Sequence, residues 1–131
     1  MPRLSVGDTA QASLKITDET INQYADLVGD RNPFHTDPEY AAESIFGGKF
    51  AHGMLIAGVI SAAMTELPGE NIYLAQDISF EHPVFPGDTV TATVTASEYL
   101  GDDRMEIDTV VKTESETIIT GTAVQLMVRE E

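Results

Sequence analysis

The chain contains no cysteine and no tryptophan, and it has few basic residues. Without cysteine there is no disulfide framework and no thiol nucleophile, and the redox compartment is left open. Seven Lys and Arg stand against 22 Asp and Glu, a formal net charge of -15. That balance excludes nucleic acid as an expected partner, because affinity for phosphate backbones comes from Lys and Arg. It disfavours an anionic membrane surface for the same reason. Long hydrophobic runs are also missing. The longest, Met54 to Met64, is interrupted by Ser61 and is too short to cross a bilayer. The first ten residues, MPRLSVGDTA, lack the apolar centre of a secretory signal, so the expected location is the cytoplasm.

What is present suffices for one folded domain. The 131 residues leave no room for a second, and 42% of them are hydrophobic, enough for a real core. Low-complexity segments and internal repeats are absent. A helical first half precedes a strand-rich second half, which points to the α+β class. Residues 10–16 are expected as a first strand. Thr17 or Asp18 then caps a helix in which Ile21, Tyr24, Ala25 and Val28 recur at helical spacing, and Gly29 ends it. A loop holding Pro33 and Pro38 follows, then a short helix near Glu39–Ser44 and a break at Gly47 and Gly48.

Gly53 to Glu66 reads as a central helix, apolar on all sides, and such a helix must be buried all round. Ala57, Gly58, Ala62 and Ala63 keep it thin. The second half alternates. Thr89, Thr91, Thr93 and Thr95 face one way, and Val90, Ala92, Val94 and Ala96 the other. Met105, Ile107 and Val111 share a face opposite Glu106 and Asp108. Residues 71–82 and 117–128 complete a sheet of about five antiparallel strands, curled around the helix. One sheet does not easily cover such a helix, so a partner chain is expected.

Two stretches can carry chemistry. The first is Gly29-Asp30-Arg31-Asn32-Pro33-Phe34-His35-Thr36-Asp37-Pro38. Asp30 and His35 lie five residues apart on a segment stiffened by two prolines. A histidine beside a carboxylate can accept and return a proton. Read singly, Asp30 is a turn residue after Gly29 and Asp37 an N-cap; read together, the Asp–His pair points to function. The second is Ala51-His52-Gly53-Met54, where the chain enters the central helix. Unpaired N–H groups at a helix start stabilise negative charge, and Gly53 lets a substrate oxygen approach its own. A helix entry that simply needs a small residue looks the same. His52 reads as a capping or core histidine. The Ser61 hydroxyl can orient Asp30 or bond back to the Ala57 carbonyl, and the residues alone favour the second. Met54, Met64 and Phe46 read as core. No metal-ligand pattern, P-loop, dinucleotide fingerprint or nucleophile elbow is present.

Taken together, GDRNPFHTDPEYAA, AHGML and EHPVFPGDTV resemble the MaoC-like hydratases of the hot-dog fold, and above all the short single-domain (R)-specific enoyl-CoA hydratases. The resemblance covers roughly residues 5 to 128. It implies a dimer or higher homo-oligomer, a helix wrapped by antiparallel strands, and an acyl-CoA substrate with no cofactor or metal. It implies Asp30 and His35 as the catalytic pair, with Asn32 between them in the shared Asp–x–Asn–Pro–x–His motif. It implies the Gly53 N–H as the donor to the thioester oxygen. Ser61 matches a position that supports the catalytic Asp, which reverses the plain reading of that residue, and Met64 a position lining the acyl pocket. The chain departs from the family at Glu81, where relatives often carry a basic residue. The cations available to hold polyanionic CoA are Arg31, Lys49, Arg104 and Lys112. Alternatives are a branched or dicarboxylic enoyl thioester, an acyl-carrier thioester, a hot-dog thioesterase and a non-catalytic acyl-CoA-binding protein. A straight-chain substrate would feed polyhydroxyalkanoate synthesis.

An acidic excess of this size destabilises the compact state by self-repulsion, and salt screens it, which makes a high-salt cytoplasm the expected setting. The thermal midpoint should therefore rise as KCl is raised from low to molar concentration. A midpoint that stays flat or falls in a salt series would count against this expectation.

Overall fold

The computed structural model describes residues 3–128. Its elements run β1 (Thr9–Lys15), α1 (Asp18–Val28), α2 (Pro33–Thr36), α3 (Pro38–Ala42), α4 (Gly53–Met64), β2 (Asn71–Phe80), β3 (Thr89–Gly101), β4 (Arg104–Lys112) and β5 (Thr117–Met127). The five strands form one antiparallel sheet in the order β1-β3-β4-β5-β2. Alternation sets its two faces. Val90, Ala92, Val94 and Ala96 of β3, and Met105, Ile107 and Val111 of β4, are buried against α4, while the threonines of β3 turn away. The α+β expectation and the sheet around a helix both hold.

Local chemistry sets the boundaries. The Thr17 hydroxyl accepts the Thr20 N–H at 3.0 Å and starts α1. Gly29, at φ 83°, ends it by donating its N–H to the Ala25 carbonyl at 2.9 Å. The β3–β4 hairpin turns on Asp102 and Asp103, both at positive φ, as tight hairpin turns require. Two expectations are corrected here. Pro33 opens the short helix α2 rather than lying in a loop, since a first-turn residue needs no N–H. Strand β3 continues past Ala96 to Gly101, with a register shift between Ala96 and Glu98.

Helix α4 packs against β1, β3 and β4. Ile56, Val59, Ile60, Ala63 and Met64 are buried beneath it. Its opposite face is open: Met54 is 60% exposed, and Gly58, Ser61 and Ala62 are exposed with it. The expected burial on every side is therefore only half supplied within one chain. Met54 and Phe46 are not core as expected; both stand at the surface beside a cleft. Strand β2, at the sheet edge, carries exposed Ile72, Tyr73 and Leu74. No helix among the described residues is long and apolar enough to cross a membrane.

Strand β2 is held close to β5 by Gly121. A Cβ at that position would lie 2.0 Å from the Asp77 carbonyl oxygen, and both are sheet backbone with little freedom to yield. Gly121→Ala should cost about 2 kcal/mol or more. The measurement is a urea titration, with a lowered midpoint expected at unchanged slope.

Candidate active site

The site hangs on the segment between α1 and α4. Asp30, just past the αL turn at Gly29, accepts the Asn32 N–H on Oδ1 at 3.3 Å. Asn32 in turn caps α2, its Oδ1 accepting the Phe34 N–H at 3.1 Å. This makes Asn32 a residue that shapes the loop. Asp37 caps α3 through the Glu39 and Tyr40 N–H groups.

His35 lies on α2, buried, with its Nδ1–H donating to the Phe50 carbonyl at 2.7 Å. A carbonyl only accepts, so this bond fixes the proton on Nδ1 and leaves Nε2 with a lone pair in the neutral ring. The Phe50 ring meets His35 edge-on at 5.2 Å. The chain around Phe50 is pinned by its N–H to Phe34 and by the Ala51 N–H to Val84.

His52 stands at the N-cap of α4 and is 2% exposed. Its Nε2–H donates to the Asp30 carbonyl at 2.8 Å, and its ring overlies His35 at a centroid separation of 4.0 Å. The Tyr24 ring packs on it at 4.8 Å. Burial holds its pKa below the ordinary histidine value. The nearby His35 and Lys49 push the same way, and the bond and charge of Asp30 oppose them. His52 is thus a neutral pillar between the loop and the helix. The sequence reading had it as a capping or core residue. No signal beside His52 in the sequence points to its bond with the Asp30 carbonyl, 22 residues earlier.

A carboxylate oxygen of Asp30 and one ring nitrogen each of His35 and His52 lie within 4.8 Å of one another. The trio has the composition of a metal site. However, His52 commits Nε2–H to the Asp30 carbonyl, and its other ring nitrogen, Nδ1, is buried. Proton transfer between Asp30 and His35 suits this arrangement better.

Gly53 begins α4, whose first N–H groups have no intrahelical acceptor and no side-chain cap. A Cβ on Gly53 would meet the Phe80 ring at 2.6 Å, so the glycine lets that ring lie on the helix entry. Asp30, His35, His52 and Gly53 line one cleft of about 350 Å³, together with Phe46, Phe50, Met54 and Phe80. Glu81 also lines it and accepts the Thr120 hydroxyl at 3.2 Å.

Ser61 and Met64 are not brought there. Ser61 is exposed on α4, eight residues and about 12 Å along the axis from Gly53. With Met64 it lines a second cleft at the other end of the helix. Of the expected cations, Arg31 pairs with Asp26 at 2.5 Å and Lys49 with Asp18 at 2.8 Å. Arg104 donates to the Asp102 carbonyl, and Lys112 lies with Asp108 along a separate surface.

A buried helix wrapped by an antiparallel sheet, with an Asp–His loop at its open N-terminus, defines a hot-dog-fold domain of the hydratase and dehydratase type. The MaoC like domain model matches residues 6–119, and the chain belongs to that family. It is 45% identical over 93 residues to an (R)-specific enoyl-CoA hydratase of Rhodospirillum rubrum, covering 70% of this chain and 65% of that protein. It is 43% identical to the enzyme of the same name from Aeromonas caviae, covering 70% and 69%. Among solved structures, an R-hydratase from Pseudomonas aeruginosa superposes with TM-score 0.87 at 34% identity, covering 97% of this chain and 84% of that one. The A. caviae (R)-hydratase involved in PHA biosynthesis superposes with TM-score 0.88 at 36% identity, covering 95% and 98%.

The depressed pKa of His52 has a consequence for stability. The unfolded chain binds this proton more tightly than the folded one, so the folded state loses ground as pH falls through the ordinary value of about 6.5. The loss levels off below the folded pKa, and above about pH 7 the contribution vanishes. Glutamine can reproduce the bond to Asp30 without titrating. His52→Gln should lose less stability than wild type between about pH 7 and pH 5, measured by urea denaturation at each pH. Equal losses would contradict this account.

Proposed function

We propose that the protein is an (R)-specific enoyl-CoA hydratase, adding water reversibly across the 2,3 double bond of a trans-2-enoyl-CoA to give the (R)-3-hydroxyacyl-CoA. The observation that carries this is the proximity of the Asp30 carboxylate and the His35 ring beside the uncapped start of α4. The relatives bearing that activity in their names support it.

One water sits between Asp30 and His35. One group takes its proton as the oxygen attacks C3, and the other delivers a proton to C2 on the same face. The pair takes one proton from the water and gives one to C2, so it ends each turnover with as many protons as it began. The thioester oxygen, which gains charge as the enolate forms, accepts from the Gly53 N–H, a donor typically worth about 3 kcal/mol of barrier. Water, the pair and this donor suffice, so no cofactor or metal is invoked. Short straight acyl chains are the preferred reading, carried on CoA in the cytoplasm.

The working unit in this reading is a homodimer. A two-fold axis that joins the β2 edges places the two α4 helices side by side and antiparallel. Their open faces, Gly58 and Ala62 among them, then cover each other. Antiparallel packing sets the C-terminal half of one α4 beside the first turn of the other. Ser61 then supports Asp30 of the second copy, a reach that it lacks within its own chain.

The test is hydration of crotonyl-CoA in molar KCl, followed by loss of enoyl absorbance. Wild type should give the (R)-3-hydroxy product, and Asp30→Asn and His35→Ala should each lower kcat by about 10²–10⁴-fold. Absence of wild-type turnover at every chain length, with acyl-CoA still raising the thermal midpoint, would sink the hydratase in favour of a binding protein.

A further inference from the structure

The cleft at the C-terminal end of α4 has a floor ill suited to a plain alkyl tail. It encloses about 410 Å³ and is lined by Ser61, Met64, Asn71, Tyr73 and Gln125, among others. Gln125 points inward from β5 between Ala123 and Met127, both buried and apolar. Its side chain is almost wholly covered, the residue being 2% exposed, yet its Nε2 has no hydrogen-bond partner. Asn71 donates Nδ2–H to the Pro68 carbonyl at 3.1 Å, while its Oδ1 is buried and unpartnered. Among the described residues, a spare donor and a spare acceptor thus belong to two side chains that line the same cleft. Buried amide groups nearly always find partners, because leaving them unmade is costly.

We propose that this cleft receives the far end of the acyl chain and selects one that ends in a hydroxyl group. A hydroxyl accepts from Gln125 Nε2 while donating to Asn71 Oδ1. A methyl end leaves both groups unpaired. A carboxylate satisfies only Gln125 and faces both the Asn71 oxygen and Glu70, which lines the same cleft. The proposal rests on the hydratase and dimer reading above, in which antiparallel α4 helices set this cleft beside the catalytic cleft of the second copy. A chain extending beyond C3 then runs into it. Sites built to bond a substrate hydroxyl reject the analogue lacking it, whereas apolar pockets discriminate weakly.

Two measurements separate the proposal from the reading beneath it. Binding is read by titration calorimetry with unreactive saturated thioesters, 6-hydroxyhexanoyl-CoA against hexanoyl-CoA and the eight-carbon pair. Turnover is read with the matching trans-2-enoyl-CoA pairs, and crotonyl-CoA is the control for hydratase activity. Wild type should favour the hydroxylated member by at least about tenfold at one of the two lengths. Gln125→Leu should abolish or invert that ratio, and Asn71→Ala should reduce it, giving a second reading should the first variant fold poorly. Equal or better binding of the alkyl chains by wild type overturns the proposal, and is the outcome if a water bridges the two amides. Loss of crotonyl-CoA turnover with the hydroxyl preference intact in binding overturns the hydratase and keeps the polar cleft.

Discussion

Helix α4 has almost no polar side, and the fold is largely the means of covering it. The sheet supplies one half of the cover through Val90, Val94, Ile107 and Val111, all fully buried. Covering that half forces the strands to curl and fixes which face of each strand is apolar. It also fixes where the helix begins. Because α4 starts at the mouth of a cleft rather than inside the core, its first N–H groups are left facing a space that a substrate can enter. The half left open bears Gly58, Ser61 and Ala62, so the demand is met on one side of the helix only within the chain.

The loop that carries Asp30 and His35 is positioned by bonds to backbone carbonyls. His35 is set by the Phe50 carbonyl, and Asp30 by its own carbonyl, held by His52. Side-chain atoms that touch water or substrate thereby stay uncommitted. Among the described residues, His35 Nε2 has no partner, and the Asp30 carboxylate bonds only the nearby Asn32 N–H at a long 3.3 Å. Burial favours the neutral form of His52, so its ring packs on His35 without bringing a charge into the site.

Much of this was legible because its causes are local. Threonine and valine alternation in β3, the Thr17 cap and the Gly29 stop each depend on a few adjacent residues, and each lies within a residue or so of its expected place. The pairing of Asp30 with His35 was legible for the same reason. Relations across long separations were not. Nothing near His52 states that its proton meets a carbonyl 22 residues earlier, and nothing near Gly53 foretells the Phe80 ring. Met54 looked like core by composition and is exposed, since a helix apolar all round does not reveal which side its own chain leaves bare. Ser61 is exposed on α4 and lines a different cleft from Asp30 within its own chain, a separation that its neighbours in sequence do not state.

The two ends of α4 do separate jobs. Asp30, His35 and Gly53 gather at its start, while Asn71 and Gln125 sit at its finish on strands β2 and β5. Within one chain the two groups line different clefts. In the proposed reading, a change of side chains at the far end alters which tails are accepted while the atoms that make the bond stay the same.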